Sequence, residues 1–227
     1  MTDYAFDFNG TACRALPSGG LFLPTHKVLC VSDLHLGKSD RIARRSGMML
    51  PPYEVHETLT KLETDIEATQ PQTIICLGDS FDDLDAALDL PDDMRMWLAR
   101  LQAGRAWVWI EGNHDPGPVA LGGTHLRDIS IGTLIFQHIA SQAVAEVSGH
   151  YHPKHRVAGR SRPAFLYDGK RLIMPAYGAY TGGLSSNTDV LRNLFSEQTI
   201  AILTGPKAIP VPVAKNRRPV RSGGRFY

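Results

Sequence analysis

The chain has 227 residues, 43% hydrophobic and 21% charged, with a formal net charge of +1 at pH 7. This is the composition of an ordinary globular protein, long enough for one large core, and the near-neutral charge excludes a global attraction to nucleic acid or membranes. No apolar run reaches the roughly 18 residues of a membrane span. The polar, acidic start MTDYAFDFNG lacks the basic-then-apolar pattern of a secretion signal, so no membrane partner and a cytoplasmic setting are expected.

In chain order, the β-branched run Lys27–Ser32 (KVLCVS) predicts a strand that ends at Asp33. Thr73–Leu77 (TIICL) repeats the pattern and ends in Gly78-Asp79, and Trp107–Ile110 (WVWI) ends in Gly112-Asn113-His114-Asp115. Continuous apolar runs of this kind suit strands covered on both faces. Between the first two, Val55, Leu59, Leu62 and Ile66 have helical spacing within Tyr53–Thr69, with Pro51-Pro52 before and Pro71 after. Met94, Leu98 and Leu101 predict a second helix between Pro91 and Gly104, so the first half reads as an α/β sheet.

After His125 the runs shorten (LIF, VAEVS, AFLY, RLIM) and Asp168-Gly169 signals a hairpin, which predicts a second, largely antiparallel sheet. Pro206, Pro210, Pro212 and a Gly-Gly-Arg finish predict an extended tail from about residue 207. It carries Lys207, Lys215, Arg217, Arg218, Arg221 and Arg225 and no acid. One domain over residues 1–227 is expected. Cys30 and Cys76 lie inside apolar runs and read as buried, reduced thiols, while Cys13 carries little signal.

The chemistry concentrates in Asp33-Leu34-His35, Gly78-Asp79 with Asp82, Gly112-Asn113-His114-Asp115, His138, and Gly149-His150-Tyr151-His152. Three of these follow predicted strands, at the carboxyl edge where loops of an α/β sheet converge on ligands. Residues two apart in an extended segment project to one side, so Asp33 with His35, and His150 with His152, can each direct two ligands into one space. Carboxylate, imidazole and amide oxygen together suit Mn²⁺, with Fe or Zn²⁺ as alternatives, better than Mg²⁺. Asp79 could bridge two ions about 3.5–4 Å apart, as in two-metal hydrolases. Each motif alone is weak; their combination and order are not.

The order D-x-H, G-D-x-x-D, G-N-H-D, H, G-H-x-H resembles the calcineurin-like metallophosphoesterase superfamily, over about Val28 to His152. The resemblance implies a four-layer α/β/β/α sandwich with two divalent metal ions. It implies that Asp33, His35, Asp79 and His152 hold one ion, and Asp79, Asn113, His138 and His150 the other. It further implies that His114 protonates the leaving oxygen, that Asp82 orients His114, and that Asp115 shapes the loop. Two residues depart from the pattern. Asp83 stands where the protein phosphatases of the superfamily carry Arg, which argues against that activity, and Ile139 rather than a small residue follows His138.

A narrower resemblance rests on SDLHLGK, then Arg41 or Arg44, Gly47 and Pro51, and on PAYGAYTGGL at Pro175–Leu184. It is to the bacterial ligase-associated DNA damage response endonucleases, which implies DNA rather than RNA as substrate, a role in DNA repair, and a functional association with a DNA ligase, a helicase and an exonuclease. Lys38, Arg41, Arg44 and Arg45, directly after the first motif, read either as a solvated face or helix start or as a candidate phosphate-contacting rim. His155, with Lys154 and Arg156, could extend it, and Gly178, Gly182 and Gly183 are expected to make tight turns under the site. Two alternatives to a nuclease are a small-molecule phosphoesterase, for nucleotides or a lipid-linked pyrophosphate, and a non-catalytic scaffold. Retention of His114 with every metal ligand argues against the scaffold.

Overall fold

The computed structural model describes residues 2–38, 53–82, 88–117 and 120–214. A first sheet of seven strands runs in chain order: β1 (Tyr4–Phe8), β2 (Thr11–Ala15), β3 (Leu21–Leu23), β4 (Val28–Val31), β5 (Thr73–Leu77), β6 (Ala106–Ile110) and β7 (Thr124–Leu126). β1 to β4 pair antiparallel, whereas β4, β5, β6 and β7 are parallel, so all four deliver their carboxyl ends to one edge. The crossovers of β4–β5 and β5–β6 carry the helices α1 (Glu54–Thr69) and α2 (Asp92–Gln102). α1 ends where Gln70 turns left-handed (φ 48°) and its N–H caps Ile66 O, just before Pro71.

The apolar runs divide by strand alternation. Leu29, Val31, Ile74, Cys76, Trp107 and Trp109 face the helices and pack on Leu59, Leu62, Ile66, Leu98 and Leu101. Val28, Cys30, Ile75, Leu77, Val108 and Ile110 face the other way, onto Leu134, Phe136, Val147, Phe165, Leu172, Met174 and Ile202 of a second sheet. Burying one such large apolar side chain stabilises the fold by about 1.5–3 kcal/mol, so both faces of the first sheet are strongly held.

The second sheet is built from β8 (Asp128–Ile131), β9 (Leu134–Gln137), β10 (Glu146–Ser148), β11 (Lys154–Val157), β12 (Arg160–Tyr167), β13 (Arg171–Ile173), β14 (Ile200–Leu203) and β15 (Ile209–Pro212). Its path is β15-β14-β12-β13-β10-β9-β8, with β11 paired to β12. The expected hairpin at Asp168-Gly169 joins β12 and β13. The expectation of a largely antiparallel sheet needs one correction, because the central β9, β10 and β13 are parallel. The outer face packs Leu166, Ile173, Ala201 and Leu203 on Leu191 of the short helix α3 (Asp189–Leu194). The result is the expected α/β/β/α layering.

Part of the stretch expected to be tail, Ile209–Pro212, is a strand instead. Ala201, Ile202 and Leu203 pair with Val211, Pro210 and Ile209, so β15 closes the sheet edge; Lys215, Arg217, Arg218, Arg221 and Arg225 lie outside the described residues. All three cysteines are buried thiols, and burial pushes Cys30 and Cys76 well above, and Cys13 up to about 12. Among the described residues no helix is long and apolar enough to cross a membrane.

Candidate metal centre

The carboxyl edge of β4, β5 and β6 gathers three loops, Ser32–Leu36, Gly78–Asp82 and Glu111–Asp115. Their backbones are knitted together. Asp33 N donates to Gly78 O (3.2 Å), His35 N to Asp79 O (3.0 Å) and Leu36 N to Ser80 O (3.0 Å). Asp33 (φ 53°), His35 (46°), Asp79 (46°), His150 (68°) and His152 (45°) all have left-handed backbone. Asp and His tolerate that region better than most residues, yet each such position costs of order 1–3 kcal/mol and persists only where its surroundings fix it. The i, i+2 spacing therefore works differently from the extended segment expected. Left-handed turns at both residues of each pair aim the side chains together.

Asp33, His35 and His152 bring one donor atom each within 4.8 Å of one another, and Asp79, His138 and His150 do the same. In the first group His152 Nε2 lies 3.1 Å from Asp33 Oδ1 and 3.3 Å from His35 Nε2. In the second, His138 Nε2 lies 3.3 Å from Asp79 Oδ2 and 3.1 Å from Asn113 Oδ1. Donor atoms bonded to one ion at about 2.1 Å, at angles between square and tetrahedral, sit roughly 3.0–3.4 Å apart, which matches. The His138 tautomer also fits. His138 Nδ1 donates to Leu77 O (3.0 Å), so the lone pair of its Nε2 points inward at other donors, while His35 Nδ1 lies 3.2 Å from Asp82 Oδ1 without a hydrogen bond between them. Lone pairs crowded in this way call for a cation between them, and an outward Nδ1–H held by an acceptor is the usual support of a metal-binding imidazole. Asp79 belongs to the second group at this spacing.

The Asp79 carboxyl, which burial alone would raise, is held down at about 2 by His138 and the His114 N–H. His138 is the converse: burial opposes its charge, but Asp79 and Asp33 outweigh burial and raise it. Burial, assisted by the charge of His138, lowers His150.

His114 N donates to Asp79 Oδ1 (2.8 Å), and its ring lies edge-on to His35 with centroids 5.3 Å apart. The expected contact from the Asp82 carboxylate to His114 is not made. The backbone carbonyl of Asp82 accepts from His114 Nδ1 (2.9 Å), while the carboxylate turns to His35. A carbonyl can only accept, so His114 carries its proton on Nδ1 when neutral and leaves Nε2 available. Asp115 shapes the loop, as expected: Oδ2 accepts from Ser80 N (2.8 Å) and Phe81 N (3.2 Å), and Oδ1 from Gly112 N (3.1 Å).

Other expected residues divide. A Cβ at Gly178 would overlap Leu34 O, so this glycine allows the loop after β13 to press on the Asp33 loop, where Gly178 N donates to Asp33 O (3.1 Å). Gly182 faces open space. His155 is buried against Ser186 Oγ (2.6 Å), a structural contact rather than a rim residue. Lys38 is half-buried, three residues past His35; Arg41, Arg44 and Arg45 lie outside the described residues.

Supporting residues were missed by motif reading. Glu146 Oε2, fully buried, accepts from Gln137 Nε2 (3.0 Å), Ser141 N (2.9 Å) and Ser141 Oγ (2.8 Å), bracketing His138. Lys61 donates to Tyr177 O, and Asp65 Oδ2 accepts from Tyr177 (2.8 Å) and Ser18 (2.5 Å), bracing the Gly178 loop. Helical polar positions such as Lys61 and Asp65 give no sequence signal distinct from a solvated face.

The sequence matches the model of the calcineurin-like phosphoesterase family over residues 26–205. Among solved structures, the chain is similar to the Pseudomonas putida nuclease MPE at 23% identity and a TM-score of 0.76, covering 92% of this chain and 100% of that one. No curated protein sequence matches it.

Proposed function

This chain belongs to the calcineurin-like phosphoesterase family and is a metal-dependent phosphoesterase, and from that premise we propose that it is a two-metal phosphodiesterase that cuts DNA. The observation that carries the reading is the pair of donor groups meeting at one sheet edge, with His114 beside both. Asp33, His35 and His152 would hold one ion and Asp79, Asn113, His138 and His150 the other, with Asp79 shared and Mn²⁺ preferred for this mixed oxygen and imidazole set. Bound there, the pair would supply a nucleophile at neutral pH and neutralise charge on the phosphoryl group.

The chain's own contribution is to position and to move a proton. The Asp82 carbonyl holds His114 Nδ1–H, which orients the ring. His114 Nε2–H then gives its proton to the departing alkoxide, a poor leaving group without it. DNA as substrate is supported by the resemblance of SDLHLGK and PAYGAYTGGL to the ligase-associated endonucleases, and by the similarity in fold to a nuclease. That resemblance also supports a cytoplasmic role in DNA repair. His114→Ala tests the reading. It should cut single-stranded DNA about 10²–10⁴-fold more slowly, the usual reach of general-acid help, while losing much less on a nitrophenyl diester whose leaving group needs no proton. Equal losses on both substrates would remove His114 from the proton-donor role.

A further inference from the structure

A fourth parallel strand reaches the same edge. Register pairs Leu126 of β7 with Ile110 of β6, and Glu111 N donates to Leu126 O (2.9 Å), so Arg127 emerges level with the loop that carries Asn113. Arg127 is exposed, and among the described residues it makes no hydrogen bond or ion pair. It shares a cavity of about 370 Å³ with Asn113, His138, Gln137, Ile139 and Ser141. That volume lies within the range of ligand sites. Gln137 and Ser141 spend donors on Glu146. Glu111, on the same wall, forms no ion pair with Arg127. The guanidinium is thus an uncommitted, fork-shaped cation beside two candidate metal ligands, in a cleft with one apolar flank at Ile139, which is 45% exposed.

We propose that this cavity is a nucleotide subsite, in which Arg127 grips the phosphate next to the scissile one on a nucleic-acid strand. The proposal rests on the nuclease reading and adds the direction in which the strand leaves the metal centre, past Asn113 and His138 towards β7. A guanidinium matches two phosphate oxygens at once, and the exposed face of Ile139 suits an unpaired base or its sugar. A small diester carries a single phosphate and so has no neighbouring phosphate to offer this subsite.

The test compares wild type, Arg127→Ala and Arg127→Lys, all loaded with Mn²⁺. Lys27→Asn, at the opposite edge of the sheet, removes an equal charge and tolerates the left-handed backbone of that position (φ 50°). Affinity for a phosphorothioate oligothymidylate, which resists cleavage, is measured against salt, and hydrolysis of a nitrophenyl diester is measured in parallel. One phosphate contact on a single strand contributes about 0.7 to the salt slope, or roughly fivefold in affinity at 0.1 M salt. Arg127→Ala should lose both, with a smaller loss on the diester than on the oligonucleotide; Arg127→Lys should keep the slope, and Lys27→Asn should match wild type in binding and in diester hydrolysis. An unchanged slope in Arg127→Ala, or an equal loss on the small diester, overturns the subsite and leaves the nuclease reading intact. A wild type that hydrolyses the diester but neither binds nor cuts DNA overturns both.

Discussion

Asp115 offers a stability test of how the two loops are joined. Its carboxylate is buried and accepts three backbone N–H groups, two from Ser80 and Phe81 and one from Gly112. Alanine leaves all three donors without an acceptor in a site 6% exposed. Each orphaned buried donor costs about 1–3 kcal/mol. Even with partial relaxation, Asp115→Ala should lose at least about 3 kcal/mol, or roughly two orders of magnitude in the unfolding constant. Asn keeps one carbonyl oxygen for Ser80 and Phe81 but turns an amide against Gly112 N–H, so it should lose only about 1–3 kcal/mol. Urea unfolding of the metal-free proteins, read as midpoint shifts at constant slope, measures both. If Asp115→Ala unfolds within about 0.5 kcal/mol of wild type, the carboxylate does not hold the loops and the accounting is wrong.

Two further outcomes follow from other parts of the molecule. Burial, opposed by Ser18, Tyr177 and Lys61, raises the Asp65 carboxyl above its ordinary range. The folded state therefore holds that proton more tightly than the unfolded chain does. Its contribution is complete below the unfolded value near 4 and is lost as pH rises through the raised folded value. The stability advantage of wild type over Asp65→Asn should thus shrink as pH rises above about 4, below the range where Lys61, lowered by burial to about 8, titrates; an advantage that grows with pH contradicts it. Asp79→Ala should reduce the Mn²⁺ retained through gel filtration from two ions per chain to one or none, and two retained ions would show that Asp79 is not a shared ligand.

Much of this was legible in the sequence because the site sits where strands stop. The runs before Asp33, Asp79 and Asn113 are buried on both faces, so their apolar continuity marks the strands and their ends mark the edge. What spacing could not convey was backbone hand. The Asp33/His35 and His150/His152 pairs converge through left-handed residues rather than an extended segment. Nor could it separate side chain from main chain at Asp82, whose carbonyl accepts from His114 while its carboxylate lies beside His35. β15 hid in a proline-rich stretch, since Pro210 and Pro212 suit a sheet edge and read as tail. Arg127 carries no motif; only the register of β7 against β6 brings it level with Asn113.

The most direct test of the central claim is hydrolysis by the wild-type chain loaded with Mn²⁺, compared across single-stranded DNA, a nitrophenyl phosphodiester and a nitrophenyl phosphomonoester. The account predicts that DNA and the diester are cut, that the monoester is the poorest of the three, and that chelation of the metal abolishes all activity. A chain that hydrolyses the monoester fastest and leaves DNA intact, or that cleaves nothing with any divalent ion, contradicts it.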